Sequence, residues 1–426
     1  MKVLLLGSGG RESAMAWALA RSVHISQLYA APGNPGIAAL ADTLTLDPAA
    51  PREVVDGARR LDADLVVVGP EAPLVAGVAD ALRADGRDVF GPDACAARIE
   101  GSKTYAKELM HRAGIPTARA DTFEDATAAR AFLDTTGPPY VIKADGLAAG
   151  KGVVVTEDRA AAEDAIDDSL VRSRFGVAGN KIVIEEFLAG EEASVIAFVD
   201  GKSVAVCEPA QDYKRVGDGD SGPNTGGMGS YSPVPSCPPA LVDQITADVL
   251  EPMVEECARR GEPFVGALYA GLALTSSGPR VIEFNARFGD PETQALLPRL
   301  DSDFGELCVA SARGELAGMK VEFSSDACVA VVAASGGYPG DHATGLPIDG
   351  LNDVAAMAGV EIFHAGTAIV DGRLVTSGGR VLAVSARGET FGSARERAYD
   401  AMANISFGGM HVRSDIAQRA VGAGRS

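Results

Sequence analysis

Lysine is scarce in this sequence: nine lysines stand against twenty-nine arginines, and the formal charge of the 426-residue chain is −20 at pH 7. A surface for nucleic acid or anionic lipid needs basic patches, so this balance speaks against both partners. It leaves room for anionic small molecules held by a few local cations. Cysteines number six, at 95, 207, 237, 257, 308 and 328, with no C-x-x-C pair. That spacing suits reduced, mostly buried thiols better than disulfides or a zinc site. No window approaches transmembrane length, and the apolar run of MKVLLLGSGG is too short for a signal peptide, so the cytoplasm is the expected compartment. The marks of covalent catalysis are missing too. Five histidines (24, 111, 342, 364, 411) are scattered, no G-x-S-x-G elbow occurs, and no cysteine has a histidine signal nearby. A G-x-x-x-x-G-K-[ST] loop is absent. These absences favour chemistry run by positioning and electrostatics, as phosphoryl transfer is.

An apolar content of 46% and this length fit two to four globular domains. Over the first hundred residues short apolar strands alternate with helical patterns: Lys2–Leu6, Ser26–Ala31, Asp64–Val68 and Asp88–Phe90 against Glu12–Arg21, Glu53–Arg60 and Val75–Ala84. Such alternation predicts an open parallel α/β sheet, with the loops GSGGRE, PGNPG, GPEAPL and GPD gathered at one edge, where ligands bind. A new unit starts near Gly101. IEGSKTYAKELMHRAGIPTA reads as a helix closed by Gly114 and Pro116, and PPYVIKADGLAAGKGVVV as strand, glycine loop, strand. KIVIEEFLAGEEASVIAFV reads as two strands broken at Ala189–Gly190. QDYKRVGDGDSGPNTGGMGSYSP carries too much Gly and Pro for any regular element and reads as a long functional loop. From about Val321 short β-rich runs and the helix Ser393–Ile405 predict a separate α+β lobe.

Four motifs carry chemistry. In VIEFNARFGDPETQ, strand alternation would put Glu283, Asn285 and Arg287 on one side and Ile282, Phe284, Ala286 and Phe288 on the other. A carboxylate and an amide oxygen roughly 7 Å apart suit a hard divalent cation that takes its remaining ligands from water and phosphate. The neighbouring arginine suits a phosphate oxyanion. A solvated strand face with an internal Glu–Arg pair is the plainer alternative. GSGGRES departs from the dinucleotide fingerprint, because Glu12 replaces the third glycine and the second strand lacks a terminal acid, which disfavours NAD. Its helix-terminal N–H groups and Arg11 fit a phosphate, and a tight strand–helix turn explains the motif equally well. VIKADGLAAGKGVVV places Lys143 and Lys151 around Gly146, Gly150 and Gly152, which favours a phosphate cradle over a flexible hairpin. EEFLAGEE is either a solvated edge or a segment whose Glu185–Leu188 backbone pairs an adenine edge, with Glu191 or Glu192 accepting from ribose hydroxyls.

Taken together, GSGGRE, PGNPG, GPEAPLVAG, EGSKTYAKELM, IKADGLAAGKGV, EEFLAGEEAS, QDYKRVGDGDSGPNTGGMGSYSP and VIEFNARFGDPETQ resemble the ATP-grasp superfamily. Over nearly the whole chain the resemblance is to its phosphoribosylamine–glycine ligases. It implies an N-terminal parallel-sheet domain at 1–100, the first part of an ATP-grasp domain at 101–189 with a lid at roughly 121–189, its second part at 190–322, and a C-terminal lobe at 323–426. It implies that ATP, glycine and 5-phosphoribosylamine are the partners, that Mg²⁺ or Mn²⁺ is the cofactor, and that the chain works as a monomer or a weak dimer. ATP would be held by Lys103, Lys143, Gly146, Gly150, Lys151 and Gly152 at its phosphates and by Glu185, Glu186, Phe187, Leu188, Glu191 and Glu192 at its nucleoside. Substrate contacts would come from Gly9, Gly10, Arg11, Glu12, Asn34 and Glu71, from Asp212, Lys214, Asn224, Thr225 and Gly226, and from Asp290, Pro291 and Glu292. Arg287, Lys151 and Lys214 would be catalytic, and Glu283 and Asn285 the metal ligands, since the preceding strand YAGLALT adds no acid. One departure stands out: the family usually has His where this chain has Ser13. A carboxylating ATP-grasp ligase and a nucleotide-binding sensor are the competing readings.

Overall fold

The computed structural model describes residues 1–148 and 152–423. The N-terminal sheet has the order Asp42–Thr43, Gln27–Pro32, Lys2–Gly7, Leu65–Val68, Asp88–Phe90, every pairing parallel. Val3–Leu6 and Leu65–Val67 are wholly buried, as expected of a parallel sheet covered on both faces. Strand order switches at Lys2–Gly7, so the loops that follow it and Leu65–Val68 flank one crevice. Arg11 comes from the first loop and Glu71 from the second, and their charged atoms stand 3.9 Å apart.

Two antiparallel sheets follow. The first pairs Ala120–Phe123, Ile182–Glu185, Tyr140–Ala144 and Val153–Thr156 in that order and closes a small core of its own around Leu133, Ile142, Ile166 and Ile184. The second has the order Val204–Val206, Glu191–Asp200, Val265–Thr275, Gly278–Asn285. Glu186–Gly190 connects them, at the break expected near Ala189–Gly190. The helix expected from Ile99 is two helices, Ala94–Gly101 and Lys103–Ala113. Ser102 divides them by turning extended (φ −147°) and accepting the Tyr105 N–H at 3.2 Å. Gly114, at φ 70°, closes the second.

The expectation of an irregular loop at 211–233 is corrected. Gln211–Asp212 and Gly229–Ser232 are strands, and Arg215–Gly217 pairs with Ser221–Asn224 as a bulged hairpin. Glycine serves the hairpin at two points: Gly219, in its turn, and Gly222, in its second strand, sit at φ 65° and 79°, where a side chain would be strained. The outer two strands also amend the picture of a separate C-terminal lobe. They join Ala327–Ala334, Arg380–Gly388 and Val360–His364 in one five-stranded sheet, so that lobe shares its sheet with the middle of the chain. Among the described residues no helix is long and apolar enough to cross a membrane.

Candidate active site

A cavity of about 880 Å³ opens between the two antiparallel sheets and reaches the N-terminal crevice. On its lid side, Lys143 leaves the Tyr140–Ala144 strand and pairs with Glu185, whose other oxygen meets Lys107 Nζ at 2.7 Å. Lys143 Nζ also donates to the Ile282 carbonyl at 3.1 Å, which ties the lid sheet to the second sheet. Glu185 is therefore a buried counter-ion that aims a lysine. Lys103 Nζ donates to the carbonyls of Ala144 (2.8 Å) and Gly146 (3.3 Å). Burial lowers the pKa of Lys103, with Glu283 opposing, and that of Lys107, with Glu185 opposing. Gly146 has no room for a side chain, since a Cβ would lie 2.8 Å from Ala178 Cα. Gly150 and Lys151 lie outside the described residues.

The Glu186 carboxylate is taken up by Arg119 at 3.1 Å and Arg280 at 2.8 Å, so it fixes the bend between the sheets and is not free for a ligand. Phe187, Leu188 and Ala189 make no backbone hydrogen bond among the described residues, and Phe187 is 46% exposed. Free peptide groups beside an apolar wall are what a planar heterocycle edge requires. Glu191 accepts from Gln211 Nε2 at 3.0 Å, and Glu192 pairs with Lys214.

The side-chain alternation expected along VIEFNARFGDPETQ is interrupted. A bulge between Gly271 and Leu272 of the partner strand pairs Gly271 with Glu283 and Leu272 with Val281, leaving Ile282 as the extra residue. Val281 turns into the core, while Ile282 lines the cavity together with Glu283, Phe284 and Asn285. The expected opposite placement of Ile282 is thus corrected, and the strand ends at Asn285, before Arg287. Glu283 makes no side-chain hydrogen bond or ion pair among the described residues. Burial works against its charge, but Lys214, Lys143, Lys103 and Arg287 outweigh burial and hold the carboxyl below its ordinary range. An ionised carboxylate without a direct partner, beside the Asn285 amide, fits a hard divalent cation. Among the described residues no group of three or more His, Cys, Asp or Glu is placed to hold a metal ion, so a cation here would take only these two protein ligands.

Arg287 is not free. Its Nη2 meets Glu100 Oε1 at 2.7 Å and its Nε lies 3.4 Å from Glu71 Oε2. Glu100 also accepts the Ala286 N–H at 2.7 Å. Burial pushes Glu100 upward against the pull of Arg287, and it opposes the ionisation of Glu71, where Arg287 and Arg11 prevail and the pKa falls. Arg11 donates to Glu12 at 2.6 Å and to the Phe288 carbonyl at 3.1 Å. Glu12 is turned inward, accepting the Gly9 N–H at 2.7 Å, and lines neither cavity. These contacts make Glu12 a residue that shapes the first loop.

Beyond the strand, the Glu292 carboxylate is buried and accepts from Tyr269 OH (2.9 Å) and Ser194 Oγ (3.1 Å). Asp290 accepts from Arg380 at 3.2 Å, from Gln294 Nε2 at 2.8 Å and from the Arg11 N–H at 3.3 Å. The Pro291 carbonyl accepts from Ser230 Oγ at 2.7 Å. Asp212, Lys214, Asn224, Thr225 and Gly226 line the same end of the cavity. Burial raises Asp212 to about 7 against the pull of Lys214. A second cavity of about 480 Å³ adjoins this end, walled by Gly9, Gly10 and Asn34 on one side and Thr367, Ser377 and Arg380 on the other. The Asn34 amide is spent on scaffold: it donates to the carbonyls of Ser8 and His364, both at 2.8 Å, and accepts the Ile37 N–H at 3.0 Å. Ser13 accepts the His364 N–H at 3.1 Å, so it ties the first loop to the C-terminal lobe.

Sequence reasoning missed Glu100, Lys107, Tyr269, Thr367 and Arg380, and also Tyr338, which lines both cavities and accepts the Gly226 N–H at 2.9 Å. Lys107 follows Lys103 by one helical turn, a spacing that was readable. Arg380 and Thr367 lie some ninety and eighty residues beyond Asp290 in the chain and carry no local signal.

A lid sheet and a second antiparallel sheet enclosing clustered lysines opposite the Glu283 carboxylate define an ATP-grasp fold. The biotin carboxylase domain of 2-oxoglutarate carboxylase from Hydrogenobacter thermophilus, solved with MgADP, shares it: TM-score 0.72, 16% identity, 96% of this chain and 91% of that one. Closer likeness is specific. Models of the phosphoribosylglycinamide synthetase N domain, ATP-grasp (A) domain and C domain match residues 1–100, 101–293 and 328–419. Phosphoribosylamine–glycine ligase of Rhizobium meliloti (strain 1021) is 51% identical over 421 residues, covering 99% of each chain. That of Streptomyces coelicolor is 51% identical over 426 residues, covering 99% of this chain and all of its own. The crystal structure of the Thermotoga maritima enzyme superposes with a TM-score of 0.84 at 34% identity, covering 97% of this chain and 100% of that one. The chain belongs to the phosphoribosylamine–glycine ligase family.

Proposed function

We propose that the described cavities carry out the ligation of glycine to 5-phosphoribosylamine through glycyl phosphate, with ATP converted to ADP and phosphate. A glycine carboxylate oxygen attacks the γ-phosphorus and ADP leaves. The sugar amine then attacks the acyl carbon, phosphate departs with the former carboxylate oxygen, and the new amide loses a proton. The observation that carries this reading is the convergence of Glu283 and Asn285 with Lys103, Lys143 and Lys214 on one cavity. Anions must approach one another there, and the lysines offset their charge. Mg²⁺ or Mn²⁺ held by Glu283 and Asn285 would neutralise phosphate charge when bound. The bend at Phe187–Leu188 takes adenine, and Glu191 or Glu192 the ribose. Asp212, Lys214, Asn224–Gly226 and Glu292 receive glycine. The sugar phosphate occupies the smaller cavity, where Arg380 and the Gly9–Gly10 backbone face it. We read the working enzyme as a monomer or a weak dimer in the cytoplasm, a compartment in keeping with cysteines that are all free and, except for Cys95, buried.

Glycine bearing ¹⁸O in its carboxylate should pass one labelled oxygen to inorganic phosphate per turnover, and only with phosphoribosylamine present. Label recovered in AMP would establish adenylation and end this reading. The sugar assignment has its own test. Arg380→Ala should raise the phosphoribosylamine KM about 10- to 100-fold, the worth of one charge-assisted contact, with the KM for ATP unchanged. A selective loss of ATP affinity would move the sugar elsewhere.

A further inference from the structure

The hairpin formed by Arg215–Gly217 and Ser221–Asn224 has the composition of a moving flap, but it is tied down by one short segment near the other end of the chain. His411 Nε2 bonds the Val216 carbonyl at 2.8 Å, and Arg413 Nη1 donates to the Arg215 carbonyl (2.9 Å) and to Asp220 (3.0 Å). Ser414 donates to the Asp218 carboxylate through its N–H (2.8 Å) and its hydroxyl (2.5 Å). Asp415 accepts the Gly219 N–H at 2.9 Å, and Arg419 pairs with Asp220. These links span nearly two hundred residues of sequence, so they are a tertiary device and not local turn chemistry.

Arg413 is its centre. The side chain is wholly buried, forks onto both oxygens of Asp415 at 2.8 and 2.7 Å, and lies 4.7 Å from the centre of the Tyr213 ring. Arg419 stands 5.4 Å from the same ring. Tyr213 is itself buried, and the residues on either side of it, Asp212 and Lys214, line the large cavity. Backbone alternation therefore couples the two: whatever holds Tyr213 on one face sets where Asp212 and Lys214 stand on the other. Just past the hairpin, the Thr225 N–H and hydroxyl both return to the Lys214 carbonyl, at 2.7 and 2.8 Å, so Thr225 and Gly226 are held in the same frame.

We propose that the segment His411–Arg419 is a positioning clamp for the amino-acid subsite, with Arg413 acting through Tyr213 and the Arg215 carbonyl to set Asp212, Lys214 and Thr225. This rests on the assignment of that end of the cavity to glycine. The clamp makes the hairpin a fixed wall, and leaves closure over the phosphates to the lid sheet.

The test uses the full chain. In Arg413→Gln, amide hydrogen exchange over residues 213–226 should quicken about ten-fold while the lid, 120–185, is unchanged. The glycine KM should rise at least about five-fold with the ATP KM within about two-fold. Arg413→Lys, which keeps the charge and loses the fork, should fall between. Should Arg413→Gln not fold, Ser414→Ala combined with Asp218→Asn carries the same test at about three-fold on both readouts. Unchanged exchange over 213–226 overturns the clamp, and so does quickened exchange with every KM unaltered. Quickened exchange with a rise in the KM for ATP or sugar alone keeps the clamp and overturns the glycine assignment.

Discussion

Glu283→Gln will abolish most turnover and leave the fold in place. The substitution is isosteric, and Glu283 donates nothing and accepts nothing from protein among the described residues, so no internal bond is lost. Its melting midpoint should stay within about 2 °C of the parent. What disappears is a negative charge that faces Lys103, Lys143 and Lys214 across the cavity and that suits a divalent cation. Without it the phosphates meet three cations and no anchored metal, and turnover should drop by about 10²- to 10³-fold, in the range seen when one transition-state electrostatic contact is removed. The loss should deepen at limiting Mg²⁺, because Asn285 alone offers a weak neutral ligand. Steady-state rates across a metal titration decide it. Turnover within about ten-fold of the parent at limiting Mg²⁺ would strip Glu283 of its ligand role.

Those two residues also show how much was legible beforehand. A carboxylate and an amide two positions apart on a strand are a local pattern, and locality is what sequence displays; the parallel N-terminal sheet and the break before Gly190 were readable for the same reason. The bulge at Ile282 was not, because it is set by register against Gly271 and Leu272, a partner strand whose pairing no local pattern states. The 211–233 stretch misled through composition. Its glycines suggested a loop, yet Gly217, Gly222 and Gly229 lie within strands, and the partners of the outer strands lie at 229–232 and 327–334. Arg380, Glu100 and Arg413 belong to the same class. Each acts through contacts whose other half is far away in the chain, so a single sequence offers no sign of them. Arg287 stands between the two cases: its place after the strand was legible, its partners were not.

Those partners yield the second large effect. Arg287→Met should cost on the order of 3–5 kcal/mol of stability near pH 8, because it leaves Glu100 buried without its cation. The sign of the pH dependence follows from Glu100. Its pKa in the folded protein is already raised, by burial first and then by Glu71, with Arg287 opposing. A raised carboxyl favours the folded state most below the unfolded value, and that contribution is lost as pH rises through the folded value. Removing Arg287 lifts the folded value further, so the variant should regain stability on acidification over a wider pH window than the parent. Denaturant melts at pH 5.5 and 8, on the order of the carboxylate and neutral ranges, will show whether the gap narrows. Adding Glu100→Gln should restore most of the stability, since the amide oxygen can still accept the Ala286 N–H that Glu100 now holds at 2.7 Å. Turnover distinguishes scaffold from chemistry. If Arg287 meets a phosphoryl oxygen during the reaction, the double variant will be stable and still slower by about 10²-fold or more. Recovery of turnover together with stability would reduce Arg287 to a structural counter-ion of Glu100 and Glu71, and the charge on the transferring phosphoryl group would have to be met by the lysines alone.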